Sequence, residues 1–235
     1  MVKTLLGILL LLPAAASDEA FTVGGTVKLD GPVPAAKPLK DIERDQNCCK
    51  FHPKAPDKED LVVDAAGGVK WAFVWVKKGL EGKEFAPPEK PVLIDQVGCM
   101  YKPHVFGIMA GQPLDVRNSD PLLHNVHAVP FGSNKEFNRG QSQQGQVDRF
   151  KFTSFEVPIL VKCEVHPWMK TWACVVENPF YAVTDGEGKF EIKNLPPGKY
   201  TLGIWHEGLQ TMDTKNEAVL EVKANAVANF VMMKK

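Results

Sequence analysis

Cys163-Glu164-Val165-His166-Pro167-Trp168-Met169 places a thiol, an imidazole and a thioether at positions i, i+3 and i+6. The apolar run Ile159-Leu160-Val161 leads into it, so the three side chains are expected on a turn leaving a strand, where they can face one side. A second imidazole must come from elsewhere in the chain. Pro121-Leu122-Leu123-His124-Asn125-Val126-His127 supplies it. His124 and His127 are three apart, and a regular strand points them to opposite faces, so one of them joins the cluster and the other does not.

Outward from this loop the chain reads as an all-β protein. Short β-branched and aromatic runs alternate with Gly/Pro turns, while helix-period apolar stripes with caps are missing. Strands are expected over residues 22–29, 61–63, 71–76, 92–94, 104–109, 114–118, 125–129, 150–155, 159–163 and 172–176. Further strands are expected over 189–192, 200–205 and 218–233. In 71–76 the large aromatics Trp71, Phe73 and Trp75 alternate with small apolar residues, which suits a strand covered on both faces. Residues 77–91 carry Pro87, Pro88 and Pro91 and read as a boundary. Residues 132–149, rich in Gln, Asn, Ser and Gly, read as surface loop. Asp185-Gly186-Glu187-Gly188 reads as a hairpin turn.

The donor set is one that copper chemistry wants. Soft sulfur favours Cu(I), imidazole suits both oxidation states, and two histidines with one cysteine in a plane and a weak axial methionine form the blue-copper arrangement. A thiolate is required there, and the metal itself enforces it. Cys-x-x-His-x-x-Met with Pro and an aromatic between His and Met resembles the ligand loop of the cupredoxins, amicyanin and plastocyanin among them. The upstream His124-Asn125-Val126-His127, Pro103-His104-Val105, Gly111-Gln112 and Arg117-Asn118 resemble the same family over residues 92–178. The resemblance implies a Greek-key β-sandwich holding one type 1 copper ion through His124, Cys163, His166 and Met169, with Asn125 fixing the ligand loop by hydrogen bonds. His127 is then a surface or packing residue. Leu123 stands where such proteins usually have Pro. Pro167 and Trp168 read either as an apolar patch around an exposed His166 edge or as packed loop residues. Cys99, His104 and Met109 have similar spacing but no His-Asn segment before them, so they are not read as a second copper site.

The flanks carry a second resemblance. Val23-Gly24-Gly25-Thr26-Val27 with Asp30-Gly31-Pro32, and the tail motifs 183–190 and 195–200, resemble a transthyretin-like or carboxypeptidase regulatory-like β-sandwich. The expected organisation is a signal peptide at 1–16, one part of this sandwich at 17–91, the cupredoxin at 92–178 and the other part of the sandwich at 179–235. Two independent small β domains are the alternative.

Of the 235 residues, 44% are hydrophobic and 24% charged, with zero formal net charge. Disorder is therefore not expected, and a nucleic-acid partner, which calls for a basic excess, is not indicated. Lys3, the apolar run 5–12 and Ala14-Ala15-Ala16 form a cleavable export signal, which implies a soluble periplasmic or otherwise secreted protein with no membrane span in the mature chain. Five cysteines in an oxidising space leave at least one unpaired, as a metal-bound thiolate requires. Cys99 is expected to pair with Cys48 or Cys49, in preference to a second metal cluster of Cys48, Cys49 and His52 with Cys99 and His104, and Cys174 to be a buried free thiol. No paired carboxylates, Ser-His-Asp set or phosphate loop announces catalysis. The resemblance thus implies one-electron transfer between redox protein partners, not an enzyme. A copper carrier, a copper enzyme of the same superfamily, or a binding module with a vestigial site are the competing functions.

Overall fold

A computed structural model of the chain describes residues 19–213 and 215–235; the expected signal peptide lies outside the described residues. The fold is all-β. Strands β1 (Phe21–Leu29) and β2 (Phe73–Lys78) come first, separated by a 3-10 turn (Lys40–Arg44) and a single α-turn, α1 (Gln46–Cys49). Nine strands follow: β3 (Val92–Gln96), β4 (Tyr101–Lys102), β5 (Val105–Met109), β6 (Pro113–Asn118), β7 (His124–Val129), β8 (Phe137–Gln141), β9 (Val147–Lys151), β10 (Glu156–Lys162) and β11 (Lys170–Val176). The remainder are β12 (Tyr181–Val183), β13 (Lys189–Leu195), β14 (Gly198–Trp205), β15 (Leu209–Thr211), β16 (Glu217–Val222), β17 (Ala226–Val227) and β18 (Phe230–Lys234).

The middle strands make a sandwich of two sheets, ordered β5-β11-β10-β7-β8 and β4-β3-β6-β9. Alternation along β6, whose Leu114, Val116 and Asn118 are buried between less buried neighbours, shows why. One face of each strand enters a common core with Ile94, Ile108, Val126 and Ile159. Both sheets contain a parallel pair, β3 with β6 and β5 with β11. The loop Cys163–Met169 is the connection between β10 and β11. Because β7 runs antiparallel to β10 with His127 opposite Lys162, His124 emerges beside that loop.

A second sandwich is built from the strands on either side. Its sheets are ordered β13-β1-β18-β15, with β17 also on β1, and β12-β2-β14-β16. Val23 and Val27 of β1, Val74 and Val76 of β2, Ile192, Leu202 and Phe230 share its core. β2 is covered on both faces. Val74 and Val76 point into this core, while Phe73 and Trp75 pack with Val105, Cys174 and Val176 of the middle sandwich. Gly107 of β5 allows that contact. A Cβ there would lie 2.7 Å from the Phe73 ring and closer still to the Tyr181 ring. Gly107→Ala is expected to cost about 1–3 kcal/mol through overpacking, read as a lowered unfolding midpoint.

Three expectations change. Residues 132–149 contain β8 and part of β9 as well as loop. Both are edge strands with mostly exposed residues, so they carry charge and amide instead of the apolar alternation that marks a strand. Residues 61–63 form no strand, only the isolated Val63–Val69 bridge. Asp185-Gly186-Glu187-Gly188 does turn, with the Asp185 N–H donating to the Lys189 carbonyl at 3.0 Å, but it passes the chain from one sheet to the other.

Candidate metal centre

The short connection from β10 to β11 is closed by two backbone hydrogen bonds. The Met169 N–H donates to the His166 carbonyl at 2.9 Å, and the Cys163 N–H to the Met169 carbonyl at 3.1 Å. These bonds fold the loop back so that Cys163, His166 and Met169 are all buried at one end of the sandwich. His124, at the start of β7, enters from the side. The ligand atoms of His124, Cys163 and His166 lie within 4.8 Å of one another. The two Nδ1 atoms face each other at 2.9 Å, and the His166 Nδ1 is 3.9 Å from the Cys163 Sγ.

The electrostatics of the cluster suit a cation. Burial pushes the Cys163 thiol up, but hydrogen bonds from His124, His166 and the Asn125 N–H outweigh it and bring the pKa down to about 6. Burial likewise disfavours a charged His124. The Asp120 carboxylate and the Cys163 sulfur reverse this and raise it to about 9. Asp120 is itself buried. Its Oδ2 lies 2.9 Å from the His124 Nε2, and its two oxygens accept from the Gly98 and Cys99 N–H groups. A carboxylate on Nε2 keeps a proton there, so Nδ1, which faces His166 and Cys163, is the nitrogen that would give up its proton to a cation. Two such nitrogens, an acidic thiol and a buried thioether on the same loop form a soft donor set that fits copper.

Asn125 ties the two ligand segments together. Its Oδ1 accepts from the Glu164 N–H at 2.6 Å, its N–H points at the Cys163 Sγ at 3.5 Å, and its Nδ2 donates to Asn138 at 2.7 Å. His127 points away from the cluster and lies between Glu164 and Glu136, 2.6 Å from each. Cys99 pairs with Cys48 in a disulfide, which leaves Cys49 and the buried Cys174 free with Cys163. His104 turns instead towards Glu207, at 2.9 Å.

The exposed apolar edge considered for His166 is not formed. His166 is 4% exposed. The Trp168 ring packs on it at 5.2 Å and donates its Nε1–H to the Cys99 carbonyl. The Asp45 Oδ2 stands 3.5 Å from the His166 Nε2. Neither Asp120 nor Asp45 was legible as part of the cluster. Asp120 precedes His124 by four residues in a loop, and Asp45 is remote in sequence, with only its place before Gln46-Asn47-Cys48 to mark it as a helix cap.

No protein-family model matches the sequence, and no curated protein does. Similar solved structures include the copper-containing nitrite reductase from Thermus scotoductus SA-01, 24% identical, covering 41% of this chain and 24% of that one, with a TM-score of 0.36. The chain thus spans about a quarter of that reductase's length. A purple cupredoxin from Nitrosopumilus maritimus is 20% identical over 36% of this chain and 98% of its own, with a TM-score of 0.31. A reduced amicyanin variant is 19% identical over 45% of this chain and 98% of its own, with a TM-score of 0.34.

Proposed function

We propose that the protein is an exported carrier of single electrons, working at one type 1 copper ion held by His124, Cys163, His166 and Met169. The observation that carries this reading is the convergence of three buried donors, two imidazole Nδ1 atoms and one acidic thiol, within 4.8 Å. Copper bound there supplies a one-electron couple between Cu(I) and Cu(II). The chain's own residues do the rest. Cys163 contributes the anionic sulfur, Asp120 fixes the His124 tautomer, and Asn125 locks the loop. The burial of His124, Cys163, His166 and Met169 keeps bulk water from the donors. A buried, pre-formed donor set would let a bound ion change charge with little ligand movement.

The Cys48–Cys99 disulfide supports an oxidising, extracytosolic location. Among the described residues no helix is long and apolar enough to cross a membrane. Donor and acceptor proteins complete the proposal, and catalysis of a substrate reaction is not part of it.

The test is visible absorption and EPR of the purified protein after addition of Cu(II). Intense thiolate-to-copper absorption with compressed copper hyperfine splitting, and reversible one-electron voltammetry, are expected. An ordinary, weakly coloured Cu(II) spectrum refutes the reading.

A further inference from the structure

The 3-10 turn Lys40–Arg44 and α1 precede the middle sandwich in sequence but lie across its metal-ligand end. Asp45 is the joint between them. Its Oδ1 caps α1, accepting from the Asn47 N–H at 2.8 Å and the Cys48 N–H at 3.2 Å. Its Oδ2 faces the His166 Nε2 at 3.5 Å. The next fastening is covalent, since Cys48 of α1 is bonded to Cys99. Both sulfurs lie within 4.8 Å of a His166 ring nitrogen, and both cysteines are fully buried. The Trp168 indole, hydrogen-bonded to Cys99, closes the other side.

We infer that Asp45 is a positioning residue for His166, and that the Cys48–Cys99 disulfide holds it there. The inference rests on the copper reading for its electrochemical part. Each imidazole of the cluster then has a carboxylate at its outer nitrogen, Asp120 on His124 and Asp45 on His166. Such a partner keeps the proton on Nε2, orients the ring and makes Nδ1 a stronger donor. The added negative charge favours the more highly charged Cu(II). The cap also shuts the His166 edge from solvent, so a redox partner meets the cap rather than the bare imidazole.

Asp45→Asn tests this cleanly, because Asn caps a helix as well as Asp and the fold is kept. In metal-free protein, ¹⁵N NMR of the His166 ring is expected to report the Nε2–H tautomer, and Asp45→Asn to mix the two tautomers. In copper-loaded protein, Cu(II) affinity is expected to fall about tenfold. With Cu(I) affinity unchanged, the midpoint potential rises by about 59 mV, the one-electron equivalent. The double variant Cys48→Ala/Cys99→Ala is expected to show the same shift, and adding Asp45→Asn to it to change nothing further, since both act through one contact.

Unchanged tautomer and potential in Asp45→Asn overturn the inference. Fully additive shifts overturn the disulfide's part in it. If the cysteine double variant does not fold, reduction of the Cys48–Cys99 disulfide in the folded protein takes its place, and a His166 tautomer unchanged on reduction overturns the disulfide's part. If the wild-type protein shows no thiolate-to-copper band, the copper reading fails, and the metal-free tautomer experiment still decides whether Asp45 holds His166.

Discussion

On the copper reading, Cys163→Ala is expected to abolish the thiolate-to-copper absorption and to weaken Cu(II) binding by about 100-fold or more, beyond the usual cost of losing an outer partner. The reason is charge as much as geometry. Cys163 is 1% exposed, His124 fully buried and His166 4% exposed. A divalent ion entering such a site needs an anionic donor to offset its lost hydration, and two neutral imidazoles with a thioether do not provide one. The thiol is prepared for the role, since its pKa stands at about 6 against an ordinary value of 9.0. The variant also makes His124 less basic, because part of its rise comes from the Cys163 sulfur. Absorption, EPR and a competitive copper titration measure the effect, with circular dichroism to show that the β fold persists. Cys174 is no substitute thiol. It is fully buried between the two sandwiches, and desolvation holds its pKa well above 9.0. A band that survives the substitution points to Cys49 and refutes the assignment.

The second large effect concerns stability. Glu207→Gln is expected to destabilise the protein by about 3 kcal/mol at neutral pH, because it breaks a buried charge cluster. Glu207 lies in the turn between β14 and β15, yet its partners belong to the middle sandwich. His104 is 2.9 Å away and the Lys170 Nζ 2.7 Å, and the Trp172 indole N–H donates to the same carboxylate. Burial raises the Glu207 pKa, but the bonds from His104 and Lys170 outweigh it and hold it at about 2, from an ordinary 4.5. That difference corresponds to roughly 3 kcal/mol of folding free energy. A depressed carboxylate stabilises above its unfolded pKa, so this contribution is complete at neutral pH and is lost as pH falls from 4.5 towards 2.

His206 adds an earlier loss. Burial lowers its pKa to about 4 from 6.5. A buried neutral imidazole favours the folded state above 6.5, and that advantage disappears as pH drops towards 4. Unfolding midpoints measured across pH 7 to 2 are therefore expected to fall in two stages. Glu207→Gln removes the lower stage and leaves the upper one. A single stage unaffected by the substitution contradicts this account.

The all-β class was legible because the middle strands obey simple patterning. β6 alternates buried and less buried residues, and β2 shows large aromatics interleaved with small apolar residues. The loop Cys163–Met169 was legible because its three donors are local and depend only on one turn. What stayed hidden depends on long-range placement. β8 and β9 lie at sheet edges with their side chains in water, so their composition is that of loop. Asp45 reaches His166 from a segment that a disulfide spanning 51 residues ties to the middle sandwich. Trp168 sits where a solvent-facing aromatic was one of two readings, and its indole is instead spent on the Cys99 carbonyl. Sequence spacing carries no trace of any of these.

The pairing of β1 has a consequence for the order in which the chain can fold. Val23 takes Ile192 as its neighbour, and Val27 takes Phe230. An early strand thus waits for partners synthesised much later, and bringing them together across a flexible chain costs loop-closure entropy that delays pairing. The middle sandwich lies wholly between β2 and β12, with its own core, and can collapse before those partners exist. Once compact, it converts a long flexible loop into a short one and draws β2 and β12 together. The outer sandwich then closes last. Until it does, β1 is an unpaired edge, the segment most exposed to mispairing while the chain is still incomplete.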